Sequence, residues 1–373
     1  MKKLGVLKEI NSDKIVSLSP IGVEKLKNNF TIRVEKGAGI ASGYTDEMYK
    51  TSGAEIIETK AELIEKSDFI LSFGSLVEEG QNLDNKTFIG FYNVLNNNAV
   101  IQPYLNSTTD VYSLDLIPRS TIAQPMDIIS SVASISGYQA VLTAAEMSHM
   151  VVPMVTSAGG TLRPAKFLIL GAGVAGLQAI ATAKRLGASV KAFDVRSSTK
   201  NEIKSLGAEF IEIEGSVENK DAGGYAIEQS EEYLKLVNER IAKESIEADV
   251  IITTAKIPGK KAPTLILKST VELMKPGTVI IDLAAENGGN CELTKRNEII
   301  DYNGVHIIGL VSLLNRCSNS ISYLLSNNFS SFLNYFVSHI ENEKDNEILK
   351  ATKVIDQGRI INQQLLKKEN ILL

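Results

Sequence analysis

Short apolar runs separated by amphipathic stretches fill the first third of the chain. FTIRVE, DFILSF, TFIGFY, AVIQPY and VYSLDL read as strands, and TDEMYKTSGAEI and KAELIEKS as helices between them. That alternation describes an α/β unit. Over residues 126–149 the spacing changes: Ile128, Val132, Ile135, Val141 and Leu142 recur at near-helical intervals among Ser130, Ser131, Ser134, Ser136 and Gly137. Small residues on such a helix permit close packing. A second α/β unit follows, its strands KFLIL, SVKAFD, EFIEI, DVIITT, TVIID and VHIIG separated by helices in the pattern of a doubly wound parallel sheet. Beyond it SSFLNYFVSHI is helical, EILKATKVI is strand-like, and Asp356, Gln357 and Gly358 make a turn. This tail is too short for a domain and is expected to pack back on the first unit. The chain reads as α/β, with two Rossmann-like domains of parallel sheets, a cleft between them and long helices joining them. Residues 1–125 with 318–373 make the first domain and its returning segment, and residues 126–317 make the second.

Composition narrows the function classes. With 373 residues, 44% of them hydrophobic, the chain can bury a core for two domains. A net charge of -5 with both signs interspersed leaves no basic stripe for nucleic acid. Cys291 and Cys317 stand far apart, with no ligand-like spacing to the three histidines, so neither a disulfide framework nor a zinc site is expected. The opening MKKLGVLKEI is broken by Lys8 and Glu9, unlike a secretory signal, and a reducing cytoplasm fits. FLILGAGVAGLQAIATA, between Lys166 and Lys184, approaches the length of a membrane span. Its glycines fall where a buried strand would turn into a helix, so no transmembrane helix is expected there.

Those glycines carry the chemistry. Gly171, Gly173 and Gly176 stand in GxGxxG order after a strand and ahead of a helix. The first permits a tight turn, the second lets the backbone approach a pyrophosphate, and the third lets helix pack on strand. Amide N–H groups and the helix dipole then face the anion. Asp194 ends the next strand, 18 residues after Gly176, where an acid accepts hydrogen bonds from the adenosine ribose. Such an acid repels a 2′-phosphate and favours NAD(H) over NADP(H); Arg196 is the counter-signal, since arginine accommodates that phosphate. EKGAGIASGY, with Gly37, Gly39 and Gly43, has the wrong spacing and no such acid, and reads as a plain glycine-rich turn.

Ligands of open parallel sheets bind beyond the carboxyl ends of the strands, so four segments converge there. They are the turn with Gly171, Gly173, Val174, Ala175 and Gly176; Asp194 with Val195 and Arg196; TTAKIPGKKAP with Thr254 and Ala255; and the loop after TVIID with Leu283 and Glu286. NKDAGGYAIEQSEEY, with Gly224 and Tyr225, has the composition of a lid with an aromatic tip, or of a surface loop without a role. RSTIAQPMDIIS, residues 119–130, spaces Arg119, Gln124, Asp127 and Ser130 around Pro125. By its own chemistry a surface salt bridge of Arg119 with Asp127 explains it as well as a binding role does.

Taken together, AQPMDIISS, SGYQAV, GVAGLQAIATAKRLGA, DVRSSTKNEIKSLGAEFI, AGGYA, TTAKIPGK, MKPGTVIIDLA and GGNC resemble the NAD(H)-binding first domain of proton-translocating nicotinamide nucleotide transhydrogenase, in the version that is a separate soluble alpha subunit. The resemblance is dense over residues 118–309 and weaker over the first hundred. It implies that Arg119, Gln124, Asp127 and Ser130 lie against the nicotinamide and its ribose: Asp127 and Ser130 fixing the carboxamide, Arg119 completing the clamp, Gln124 reaching toward a partner's nucleotide. It implies no acid-base side chain, because the cofactor carries the hydride. NADP(H) then sits on another polypeptide and proton translocation occurs in membrane-spanning partner subunits. The chain itself would be a homodimeric peripheral subunit on the cytoplasmic face of the membrane. Alanine dehydrogenases resemble the chain too, through Lys8, Glu9 and the run to SLSP. Their substrate-binding arginine, active-site lysine and histidine would fall at Ile15, near Ser72 and near Phe91, and Glu286 stands where they carry Asp. A keto acid needs a cation and an imine needs a proton donor, so amino-acid dehydrogenase is the second reading. A non-catalytic NAD-binding module is the third. Residues 311–316, VSLLNR, replace the Thr-Asn-Val-Pro-Ser-Arg element usual in the transhydrogenases.

Overall fold

β1 (Lys2–Val6) begins the chain, and its residues Leu4 and Val6 are fully buried, which fits a strand with neighbours on both sides. The computed structural model describes residues 1–9, 14–74, 77, 81–105, 107–213, 231–257, 259–310 and 312–366. It divides into two compact units, Met1–Val132 with Cys317–Leu373, and Ala133–Arg316. In the first unit β1 pairs in parallel with β2 (Phe30–Glu35) and with β4 (Phe69–Ser72). β3 (Glu55–Ile57) extends the sheet beyond β2, while β5 (Thr87–Gly90) and β6 (Asp110–Ser113) extend it beyond β4. Crossover helices α1 (Pro20–Leu26), α2 (Asp46–Thr51) and α3 (Lys60–Lys66) are opened by the side chains of Ser19, Thr45 and Thr59, each accepting an amide N–H of the first turn.

α4 (Ile128–Met147) carries the chain into the second unit, and the division between units falls inside it, between Val132 and Ala133. By length and composition α4 would pass for a membrane span. However, Ala140, Val141 and Ala144 are fully buried in the core of the second unit, so this face is already covered by protein. After a separate hairpin of β7 (Val155–Ser157) and β8 (Gly160–Leu162) comes a sheet with seven strands among the described residues. β9 (Lys166–Leu170) pairs with β10 (Ser189–Phe193) on one side and β12 (Val250–Thr253) on the other, which makes the switch point of a doubly wound sheet. β11 (Glu209–Phe210) lies outside β10; β13 (Val279–Asp282), β15 (Val305–Ile308) and the antiparallel β14 (Ile299–Tyr302) follow β12. Helices α5 (Val174–Arg185), α6 (Lys200–Ser205), α7 (Glu231–Glu247) and α8 (Lys268–Val271) connect them. The apolar run FLILGAGVAGLQAIATA is thus a buried strand, a turn and a helix.

α9 (Ser318–His339) returns to the first unit, and α10 (Glu347–Thr352), β16 (Lys353–Asp356) and β17 (Arg359–Ile360) close it, with β16 antiparallel to β6. Several local expectations are corrected. AVIQPY is a 3-10 helix, Asn98–Tyr104, in which Ile101 and Tyr104 are buried three apart and Pro103 has no N–H for a ladder. EILKATKVI begins as a helix because Asn346 accepts the amides of Ile348 and Leu349, and only its end is strand. The helix in TDEMYKTSGAEI stops at Thr51, ahead of Gly53 at φ 101, and its last residues open β3. EFIEI keeps only its first two residues as strand.

Candidate dinucleotide site

In the second unit the chain leaves β9 at Leu170 and turns through Gly171, whose φ of 100 suits glycine alone. A Cβ on Gly176 would run into the Gly171 carbonyl oxygen, so the third glycine is what lets α5 start against the strand. A Cβ on Gly173 would meet no atom within 4 Å, so the backbone there opens onto space that a ligand can approach. Gly173 caps α5 without a side-chain bond, leaving first-turn N–H groups for an anion. Val174 is exposed and Ala175 half-buried at that end. These residues fit a dinucleotide's pyrophosphate. The helix also has a close neighbour within its unit: a Cβ on Gly137 of α4 would collide with the Ala175 carbonyl.

Asp194 directly follows β10, is buried, and ties the glycine turn to the residues after the strand. It accepts the Ala172 amide at 2.7 Å, the Arg196 amide at 2.9 Å, and the Arg196 guanidinium through Nε and Nη2, each at 2.8 Å. That hydrogen-bonded pairing with Asp194 holds Arg196 above the usual arginine pKa. Val195 between them is half-buried against the core. Thr254 donates its hydroxyl to the Gly171 carbonyl at 3.1 Å, and the Ala255 amide donates to Asn290 Oδ1 at 3.0 Å. Leu283 follows β13 with its amide on the Thr253 carbonyl at 3.0 Å. Glu286 is exposed and lies 3.5 Å from Arg296. Gly224 and Tyr225 lie outside the described residues.

In the first unit RSTIAQPMDIIS is seated by buried Ala123, Met126 and Ile128. Gln124–Met126 forms a 3-10 turn. Asn328 of α9 donates Nδ2 to the Pro125 carbonyl at 2.9 Å and accepts the Ser131 hydroxyl at 2.7 Å. Asp127 meets Ser130: its Oδ1 accepts the Ser130 amide at 2.9 Å and its Oδ2 the Ser130 hydroxyl at 2.5 Å. This is also how an Asp caps a helix, so Asp127 opens α4 whatever else it does. Arg119 and Gln124 are exposed, as are Ile122 and Pro125.

Sequence reasoning does not single out Asp282, Asn290, Asn328 or the contact of Gly137. Asp282, nearly fully buried, accepts the amides of Ala284, Asn290 and Cys291 and the hydroxyls of Thr253 and Thr294. Asn290 spans to the other loop through the Ala255 amide and carbonyl and the Pro263 carbonyl. A polar residue in GGNC just beyond an acid-ended strand is the available signal.

The alanine dehydrogenase/PNT N-terminal domain matches residues 5–136 and the C-terminal domain of that family matches residues 140–363. An NAD(P) transhydrogenase subunit alpha polypeptide of Rhodospirillum rubrum is 38% identical over 94% of this chain and 95% of its own length. A solved transhydrogenase structure from Sinorhizobium meliloti superposes with a TM-score of 0.82 at 34% identity, covering 97% of this chain and 99% of that one. An L-alanine dehydrogenase structure superposes with a TM-score of 0.84 at 20% identity over the whole of both chains, a likeness of fold. The chain belongs to the alanine dehydrogenase/PNT family, among the NAD(P) transhydrogenase alpha subunits.

Proposed function

We propose that this chain binds NAD(H) through Gly171, Gly173, Val174, Ala175 and Gly176, with Asp194 on the adenosine ribose and Thr254, Ala255, Leu283 and Glu286 lining the site. The nicotinamide is presented to NADP(H) held by a partner subunit. Asp127 and Ser130 orient the carboxamide, Arg119 completes the clamp, and exposed Gln124 reaches toward the partner's nucleotide. A hydride, carrying two electrons, passes from the dihydronicotinamide to the nicotinamide ring of NADP+. No proton leaves solution in that step, so the chain needs positioning and no general acid or base. Direct transfer wants the reacting carbons about 3 to 3.5 Å apart, which makes orientation the main contribution of these side chains. The chain works as a homodimer on the cytoplasmic face of the membrane, docked on membrane-spanning subunits that move the proton.

One observation favours this reading over an amino-acid dehydrogenase. Where those enzymes place a substrate-binding arginine this chain has Ile15, buried in the core; near their lysine and histidine it has Ser72, buried with its hydroxyl donating to the Gly74 carbonyl, and Phe91, stacked on Phe73 with ring centroids 5.2 Å apart. An aliphatic group, a neutral hydroxyl and an aromatic ring at these positions supply neither the cation that a keto acid carboxylate requires nor the acid that an imine requires. The test is to mix the purified chain with an NADP(H)-binding partner domain and follow hydride exchange between the nucleotides. Reduction of pyruvate with ammonia and NADH by the chain alone, at an enzyme-like rate, would overturn the proposal.

A further inference from the structure

A carboxylate has about four lone-pair positions, two on each oxygen. On Asp194 all four are taken: Oδ1 by the amide and Nε of Arg196, Oδ2 by the Ala172 amide and Nη2 of Arg196. An adenosine ribose needs two of those positions for its adjacent 2′- and 3′-hydroxyls. The two amides are backbone groups of the turns that build the site, and they hold the carboxylate in place. The backbone of Arg196 is held as well, since its carbonyl accepts the amide of Thr199 at 3.2 Å and the Thr199 hydroxyl at 2.9 Å. What can leave is the guanidinium. Its Nε and Nη2 present two parallel N–H donors, one to each oxygen, just as a cis diol presents two O–H donors side by side. The guanidinium also screens the carboxylate: the Arg196 side chain is 24% exposed and that of Asp194 only 6%.

We propose that the Arg196 guanidinium is a built-in placeholder for the adenosine ribose diol, displaced when NAD(H) binds, and that this exchange sets the choice between NAD(H) and NADP(H). The inference rests on the assignment of the glycine turn and Asp194 as the NAD(H) site. A nucleotide with a free 2′-hydroxyl replaces the fork with two donors of its own and leaves the carboxylate satisfied. A 2′-phosphorylated nucleotide has one donor fewer and brings negative charge to the acid. Arg196 then works in two directions. It competes with the diol of NADH, and it neutralises Asp194 against the phosphate of NADPH. Removing it exposes a bare acid, which helps the first ligand and repels the second.

The experiment measures binding of NADH and of NADPH to the full-length chain by calorimetry, for the native protein, Arg196→Ala, Arg196→Lys and Asp194→Ala, with thermal melts to verify folding. Arg196→Ala is expected to bind NADH about fivefold more tightly and NADPH about fivefold more weakly, on the scale of one ordinary hydrogen bond gained or lost. Arg196→Lys, which keeps the charge without the fork, should fall between. Shifts of both affinities in the same direction, or weaker NADH binding in Arg196→Ala, would mean that Arg196 merely supports the loop and would overturn the placeholder. Should native protein bind NADH, and Asp194→Ala lose it, while Arg196→Ala binds no tighter, the site assignment stands and the placeholder fails. Failure of the native protein to bind either nucleotide removes both.

Discussion

Asn290 and Asp282 hold one another across the loop that follows β13: the Asn290 amide donates to Asp282 Oδ2 at 2.7 Å, and from that anchor the Asn290 side chain reaches Ala255 and Pro263 in the loop after β12. Two loops at the carboxyl edge of the sheet are fixed by one buried amide. Asn290→Ala leaves the Ala255 amide, the Ala255 carbonyl and the Pro263 carbonyl without that partner, at a cost of about 2 to 4 kcal/mol for buried groups. The urea midpoint should fall with an unchanged slope, and NADH titrated by fluorescence should bind more weakly. Lost stability with unaltered NADH affinity would reduce Asn290 to a scaffold residue.

Gly137 makes the analogous argument for the helix side. Glycine inside a helix costs about 1 kcal/mol relative to alanine, so its presence in a 20-residue helix asks for a reason. The reason is the Ala175 backbone, against which any Cβ at residue 137 collides. Gly137→Ala should therefore destabilise by about 1 to 3 kcal/mol through overpacking, despite its better propensity. Because the displaced group belongs to the first turn of α5, pyrophosphate-bearing ligands such as NADH should lose affinity more than adenosine does. A higher melting temperature with unchanged NADH binding would show that the close approach is dispensable.

Which of these features are legible in the sequence follows from where their partners lie. The three glycines of the turn can be read because each answers a local steric demand, and Asp194 because it falls at a fixed distance beyond them. Asn290 cannot, since its bonds run to backbone atoms of another loop, 27 and 35 residues away. The pairing of Arg196 with Asp194 is also hidden: sequence offers an acid and a base two residues apart, and only the fold shows both guanidinium donors turned back onto the acid. AVIQPY imitates a strand because Ala99, Val100 and Ile101 make a short apolar run that periodicity alone cannot assign, and Pro103 is the signal against it. The hairpin of β7 and β8 leaves no pattern, because neither of its faces is buried among the described residues.

Asp127 has a capping role and a proposed orienting role, and Asp127→Asn separates them. Asparagine caps helices about as well as aspartate, so α4 keeps its start and the fold changes little. The carboxylate that orders Ser130 and would order the carboxamide is gone. Hydride exchange with the partner domain should therefore slow far more than NADH affinity falls, while Asp127→Ala should in addition lose about 1 kcal/mol of stability. Equal loss of rate and affinity in Asp127→Asn would contradict an orienting role.

The hairpin tests the homodimer. Val155 lies opposite Leu162 across the two strands, and these residues, with Met154, are exposed by 38%, 54% and 66%. A two-stranded hairpin is marginal in water by itself, and exposed aliphatic side chains on it gain by burial against another surface. In the proposed homodimer a second copy of the chain would supply that surface symmetrically, since an isologous contact needs only one self-complementary patch. Leu162→Arg places a charge in that contact without touching either core of the protomer. If the hairpin carries the proposed homodimer, light scattering on the eluting protein should report a dimer for the native chain and a monomer for Leu162→Arg, with NADH binding retained. A Leu162→Arg protein that stays dimeric would move the interface elsewhere on the chain.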